Sequence, residues 1–203
     1  SQDVSATGAE EFFAFELDLL TGLLAKAAVV RAQDEKLRIF LEQAADRLMA
    51  EGKKLLVFTE YRATQSYLKE ALERRFPHAG EVLQINGSMK LEDKLAAIAA
   101  FNEGPNCFMI STEAGGEGLN LHRACHVMIN YDLPWNPARL VQRIGRLYRY
   151  GQKETVVVVN LHARDSFDNA AIDLMLQRVA QIAQDMAPGG TKYNDRLHAD
   201  ILG

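Results

Sequence analysis

Cysteine is the first shortage: the 203-residue chain holds only two, Cys107 and Cys125. Each lies in an apolar segment that reads as a buried strand, so neither a disulfide framework nor a four-ligand zinc site is expected. Histidine offers no substitute, because His78, His122, His126, His162 and His198 show no H-E-x-x-H or comparable ligand spacing. No metal site is expected. No apolar run reaches the roughly 18 to 20 residues that cross a bilayer. The start SQDVSATGAEE also lacks the basic stretch and apolar core of a signal peptide. The expected setting is intracellular and without a membrane partner: cytoplasmic, nucleoid-associated in a bacterium, nuclear in a eukaryote. A basic excess is missing too, since the formal charge is −4, which argues against a protein that coats nucleic acid indiscriminately. Finally, no glycine-rich loop is followed by a Lys-Ser/Thr pair, so the chain has no phosphate cradle of the Walker A kind.

What is present is an ordinary globular composition, 48% hydrophobic and 25% charged, enough for one main core plus an appendage. Charge is unevenly spread. Residues 1–50 carry nine acids against five bases, whereas 139–153 carries Arg139, Arg143, Arg146, Arg149 and Lys153 with no acid. A concentrated basic patch on an acidic chain suits a localised anion such as a triphosphate.

From about residue 10 to 50 apolar residues recur at helical spacing, clearest in Leu37, Phe40, Leu41, Ala44, Ala45 and Leu48, with Gly52 as a stop. Short apolar runs then alternate with helical patterns. Strands are expected at 54–59, 81–85, 106–111, 126–132 and 155–161, with helices through 67–76, over 90–102, from Pro137 and over 167–186. That alternation predicts an α/β fold with a parallel sheet covered on both faces. The expected organisation is a helical N-terminal extension over 1–50 and a main lobe over 51–165. A C-terminal helix packing on it over 166–188 and a tail over 189–203 complete the chain.

Three segments carry chemistry. In YDLPWNPARLVQRIGRLYRYGQ, Asn136 and Pro137 form a cap and first turn. At about 100° per residue, Leu140, Ile144 and Leu147 share one face and Arg139, Gln142, Arg143, Arg146 and Arg149 the other. Unpaired arginines repel one another unless an anion is present, and arginine suits forked binding of phosphate oxygens. By itself such a face is more often merely solvated. In STEAGGEGLNL, residues 111–121, glycines permit close backbone approach and Ser111 and Thr112 carry hydroxyls, although a plain tight loop reads the same way. In LQINGSMKLEDK, Gly87 and Ser88 stand at a strand end before a helix, where open amides suit a phosphate, although alone the segment reads more readily as a plain turn between strand and helix.

Together and in this order the segments resemble the C-terminal helicase lobe of SWI/SNF-like ATPases, a branch of the superfamily-two helicases. LLVFTEY matches motif IV, STEAGGEGLNL motif V, DLPWNP the segment after it and QRIGRLYRYGQ motif VI, so the resemblance covers roughly residues 35–185. It implies a RecA-like sheet of the P-loop NTPase type. It also implies an ATP-hydrolysing translocase or helicase whose ATP and Mg are bound mainly by a first RecA-like lobe, with DNA as partner and RNA less favoured. Motif VI implies arginine fingers at Arg146 and Arg149, with Gln142 toward the γ-phosphate and Arg143 at the nucleotide. Motif V implies Gly118 and Asn120 near the ribose. Gly87, Ser88, Ser111 and Thr112 would hold a strand by its phosphates, and Trp135 would flank the interlobe groove, although an aromatic there equally reads as a core anchor of the following helix. Glu113 and Glu117 make motif V more acidic than usual. Without a Walker A loop the chain alone is expected to hydrolyse no ATP. A catalytically degenerate docking module and an RNA helicase lobe are the alternatives.

Overall fold

The structure is a computed structural model, and it describes residues 16–27, 29, 34–115, 120–161 and 177. The expected C-terminal helix and the tail lie outside the described residues. By its internal contacts the chain divides into two compact units, Ser1–Arg38 and Ile39–Gly203. In the first, residues 16–27 are helical.

The second unit starts before the expected boundary at residue 50. Helix α1 (Glu35–Ile39) leads into a π-helical stretch over Phe40–Ala45 and then α2 (Asp46–Ala50). Phe40 is fully buried and meets the Tyr131 ring edge-on at 5.7 Å. Arg75 donates twice to the Asp46 carboxylate, at 3.1 and 2.7 Å. From Ile39 onward the helical stretch belongs to the second unit. It stops as expected at Gly52, whose φ of 66° admits glycine readily. The Gly52 amide donates to the Met49 carbonyl and the Lys53 amide to the Leu48 carbonyl, which closes a Schellman motif.

Five strands follow: β1 (Leu55–Thr59), β2 (Leu83–Ile85), β3 (Phe108–Thr112), β4 (Val127–Asn130) and β5 (Val157–Asn160). Between them lie α3 (Arg62–Arg75), α4 (Leu91–Glu103) and α5 (Pro137–Ile144). The sheet is parallel throughout, in the order β2-β3-β1-β4-β5. Strands β1, β3 and β4 are buried at every residue. This is why they read as unbroken apolar runs rather than as alternating ones.

Side-chain alternation divides the core. Leu56, Phe58, Met109 and Met128 point to the face that Phe101 of α4 and Leu140 and Ile144 of α5 cover. On the other face Phe108 stacks on Phe76 at the end of α3, with centroids 5.2 Å apart. The register pairs Phe58 with both Ser111 and Asn130, so the carboxyl ends of the three central strands finish level. In open α/β sheets ligands bind in the crevice outside these ends.

Both cysteines flank strands. Cys125 is buried and its thiol donates to the Lys54 and Val127 carbonyls, and burial pushes its pKa up to about 12. At pH 8 its thiolate fraction is about 10⁻⁴, and thiolate is the reactive form. Maleimide labelling of the native protein at pH 8 should therefore modify the half-buried Cys107 and spare Cys125. Equal labelling of the two, read by peptide mass, would contradict the buried placement.

Candidate functional site

Helix α5 is built as its sequence indicates at the start and differently at the end. The Asn136 side chain accepts from the Ala138 amide at 2.9 Å and Pro137 occupies the first turn, so two orphan helix donors are dealt with at once. The helix stops at Ile144, with Gly145 as its C-cap. Arg146 and Arg149 consequently do not extend the helical face on which they were expected. Their amide region turns more tightly, with the Arg146 amide donating to the Arg143 carbonyl and the Leu147 amide to the Ile144 carbonyl. Gly151 then takes a φ of 93°. The apolar anchors hold regardless, since Leu140, Ile144 and Leu147 are all buried.

Arg143 is the larger departure. Expected on the open face, it is 2% exposed. Its Nε and Nη2 donate to Glu113 Oε2 at 2.9 and 2.6 Å. Its Nη1 donates to Asn130 Oδ1 at 3.0 Å and to the Asp132 carbonyl at 2.8 Å. The guanidinium also lies 5.2 Å from the Phe58 ring centroid. Four donor contacts to protein acceptors leave Arg143 little to offer a nucleotide. The physical reason is the carboxylate of Glu113, supplied from the loop after β3, which the all-basic stretch 139–153 does not itself contain.

Around this pair opens a pocket of about 300 Å³, lined by Phe58, Glu113, Ala114, Arg139, Gln142, Arg143 and Arg146. It sits at the carboxyl ends of β1 and β3. Arg139 and Gln142 are exposed and Arg146 is half-buried. With Glu113 satisfied by Arg143, the lining offers guanidinium and amide donors, which fit phosphate oxygens and not a cation. Among the described residues no group of three His, Cys, Asp or Glu side chains is placed to hold a metal ion.

Arg149 stands apart from that pocket's lining. Its Nε donates to the Gly145 carbonyl at 2.6 Å and its Nη1 to Asn120 Oδ1. The Asn120 carbonyl in turn accepts from Asn102 Nδ2 at 3.2 Å. Motifs V and VI thus meet through Asn120 and Arg149. Gly118 lies outside the described residues.

The two remaining turns lock together by backbone. A Cβ on Gly115 would stand 2.5 Å from the Ile85 carbonyl oxygen and 2.6 Å from the Asn86 amide nitrogen, and one on Gly87 would stand 2.8 Å from Ala114 Cβ. These glycines serve close packing of the loops that follow β3 and β2. The Gly87-Ser88 turn is exposed, yet the Ser88 amide and hydroxyl both donate to Asn86 Oδ1, at 3.2 and 2.8 Å. A phosphate there would have to replace Asn86 as acceptor. Ser111 and Thr112, expected to touch phosphates, are both buried, and the Ser111 hydroxyl donates to the Thr112 carbonyl at 3.0 Å. Ser111 is level with Phe58 and shares its core face. Trp135 is 70% exposed, which suits a groove-side aromatic rather than an anchor of α5.

Sequence reasoning missed Glu113, Asn130 and Asp132 as partners of Arg143, and Gln65. The buried Gln65 amide donates to the Ile85 and Ile110 carbonyls at 3.0 and 2.8 Å, and its oxygen accepts from Asn86. The one available signal was Glu113 itself, an acid out of keeping with its glycine-rich loop.

A parallel sheet whose carboxyl edge carries a basic pocket, joined to loops of the motif V and VI pattern, defines the second RecA-like lobe of helicase-type proteins. The chain belongs to the family described as Helicase conserved C-terminal domain, whose model matches residues 35–151. Within it the chain falls in the SWI/SNF-like branch of superfamily two. It is 39% identical over 137 residues to the Bacillus subtilis (strain 168) protein called "Uncharacterized ATP-dependent helicase YqhH", covering 68% of this chain and 24% of that protein. It is 35% identical over 175 residues to the Arabidopsis thaliana "ATP-dependent DNA helicase DDM1", covering 80% of this chain and 22% of the relative. The solved Sulfolobus solfataricus SWI2/SNF2 ATPase C-terminal domain shares the fold. Its TM-score is 0.54 at 19% identity, over 75% of this chain and 60% of that one. The chain thus spans about a quarter or less of the curated relatives it matches.

The loop contact is testable. Gly115→Ala should lower unfolding stability by about 1–3 kcal/mol, because the opposing atoms are backbone and cannot step aside. A denaturant midpoint unchanged from the native protein would contradict the packing of these two turns.

Proposed function

We propose that this chain is the C-terminal lobe of an ATP-dependent translocase acting on duplex DNA, and that it works in trans on ATP held with Mg by a first lobe. The observation that carries the proposal is the pocket at the strand ends, whose lining combines Gln142 and Arg146 with an already neutralised Arg143–Glu113 pair. ATP, when bound, supplies the anhydride whose γ-phosphoryl group passes to water. The work of this lobe is electrostatic and positional. Phosphoryl transfer gathers charge on the transferring group, and a guanidinium delivered as the lobes close stabilises that charge. Arg146 fits this role directly. Arg149 fits as a second finger steadied by Asn120, with Asn120 toward the ribose, and Gln142 orients toward the γ-phosphate.

The nucleic-acid side of the proposal assigns the exposed Gly87-Ser88 turn and Trp135 to the tracked duplex. Phosphate contacts of this kind fix position without reading sequence. The SWI/SNF-like wording of motifs V and VI favours DNA over RNA.

In the motor formed with the first lobe, Arg146→Ala or Arg149→Ala should lower kcat by on the order of 10³-fold with DNA affinity nearly unchanged. Arg139→Ala, at the pocket rim, should cost under about tenfold. Steady-state ATPase assays decide this: equal and mild losses at all three would leave the basic pocket without a chemical role. For the grip, Ser88→Ala combined with Trp135→Ala should weaken duplex binding evenly across sequences and flatten its salt dependence. An altered sequence preference at an unchanged salt slope would show that this surface does not track the backbone.

A further inference from the structure

Arg143 lies between Gln142 and Arg146 in sequence but is more deeply buried than either. Its guanidinium, carried by α5, reaches the loop after β3 at Glu113, the end of β4 at Asn130 and, two residues further on, the Asp132 carbonyl. Its plane is set 5.2 Å from Phe58 of β1. Asp132 is tied to the same strand, accepting from the Thr59 hydroxyl at 2.5 Å. One side chain thereby joins a helix to the carboxyl ends of the three central strands.

The short helix needs such a peg. Helix α5 has 8 residues, and its apolar anchors Leu140 and Ile144 lie on core side chains. Apolar contact is non-directional and tolerates sliding and rotation. A forked guanidinium held by fixed acceptors does not. Glu113 is the other half of the device, because a cation this deeply buried needs a compensating charge.

We propose that Arg143 and Glu113 form a positioning pair that orients α5, and with it Gln142 and Arg146, toward the nucleotide, while Arg143 itself touches no phosphate. This rests on the functional reading above. A displacement of about 1 Å at such a site costs about 10²-fold in rate, so the pair acts on kcat through its neighbours.

The test combines Glu113→Gln, Arg143→Met and the double variant, with Tm measured on this chain and ATPase kinetics in the motor with the first lobe. Glu113→Gln strands a buried cation and should lower Tm by about 10 °C. The double variant removes both charges and should recover most of that loss, yet kcat should stay down by about 10²-fold with KM for ATP within about threefold of native. Arg143→Lys keeps the charge and loses the fork, and should show the same kcat loss. It carries the decision if the methionine variants do not fold. A double variant with native kcat would make the pair merely structural. A KM for ATP raised in step with the loss of kcat would make Arg143 a nucleotide contact. Either result overturns the proposal. Arg146→Ala run in parallel separates the two levels: if it is silent, the functional reading fails, and if it alone abolishes turnover, only the positioning pair fails.

Discussion

A guanidinium removed from water is costly to keep, and a protein keeps one only where its charge and its donors are met together. Arg143 meets that condition through Glu113, Asn130 and the Asp132 carbonyl, and the arrangement of the whole site depends on it. The strands must end level for the three acceptors to converge. The β3 loop must turn so that Glu113 faces α5, and α5 must start and stop where Asn136 and Gly145 place it. Take away the pair and the pocket keeps its side chains but loses the frame that aims them.

The glycine contacts work toward the same end from the other side. Gly115 lets the loop carrying Glu113 rest on the backbone of Ile85 and Asn86. The Gln65 amide ties the end of β2 to the middle of β3 by donating to the Ile85 and Ile110 carbonyls. The turn at Gly87 and Ser88 is therefore linked to the motif V loop by close packing at the two glycines, and that loop to α5 by the buried Arg143–Glu113 contact. Polar networks of this kind confer geometric specificity more than net stability. A lobe that must present donors to a ligand held elsewhere gains from that specificity.

The fold was largely legible in the sequence because a parallel sheet writes itself as short, unbroken apolar runs between helical patterns. β1 and β3 fall within about two residues of where the runs place them, and β2 is shorter than its run because its first two residues lead in from the turn. The cap at Asn136 and the stop at Gly52 were equally plain, since each depends on local residue chemistry. The end of α5 was not legible, because helical periodicity continues through Leu147 while Gly145 and the tight turns after it break the helix. Nor was the fate of Arg143. A helical wheel assigns it to the polar face, and only the tertiary approach of Glu113, thirty residues earlier, turns that position inward. Ser111 was misplaced for the same kind of reason: the motif names a hydroxyl, whereas strand register decides which face it points to.

The most direct measurement is a titration of this chain into the separately produced first lobe, with saturating ATP and duplex DNA and the rate of hydrolysis followed. If Arg146 and its neighbours act in trans, hydrolysis rises saturably as the chain is added. Chain carrying Arg146→Ala then competes for the first lobe without raising the rate. A rate that stays flat while light scattering shows the two lobes associated would contradict the trans-acting pocket.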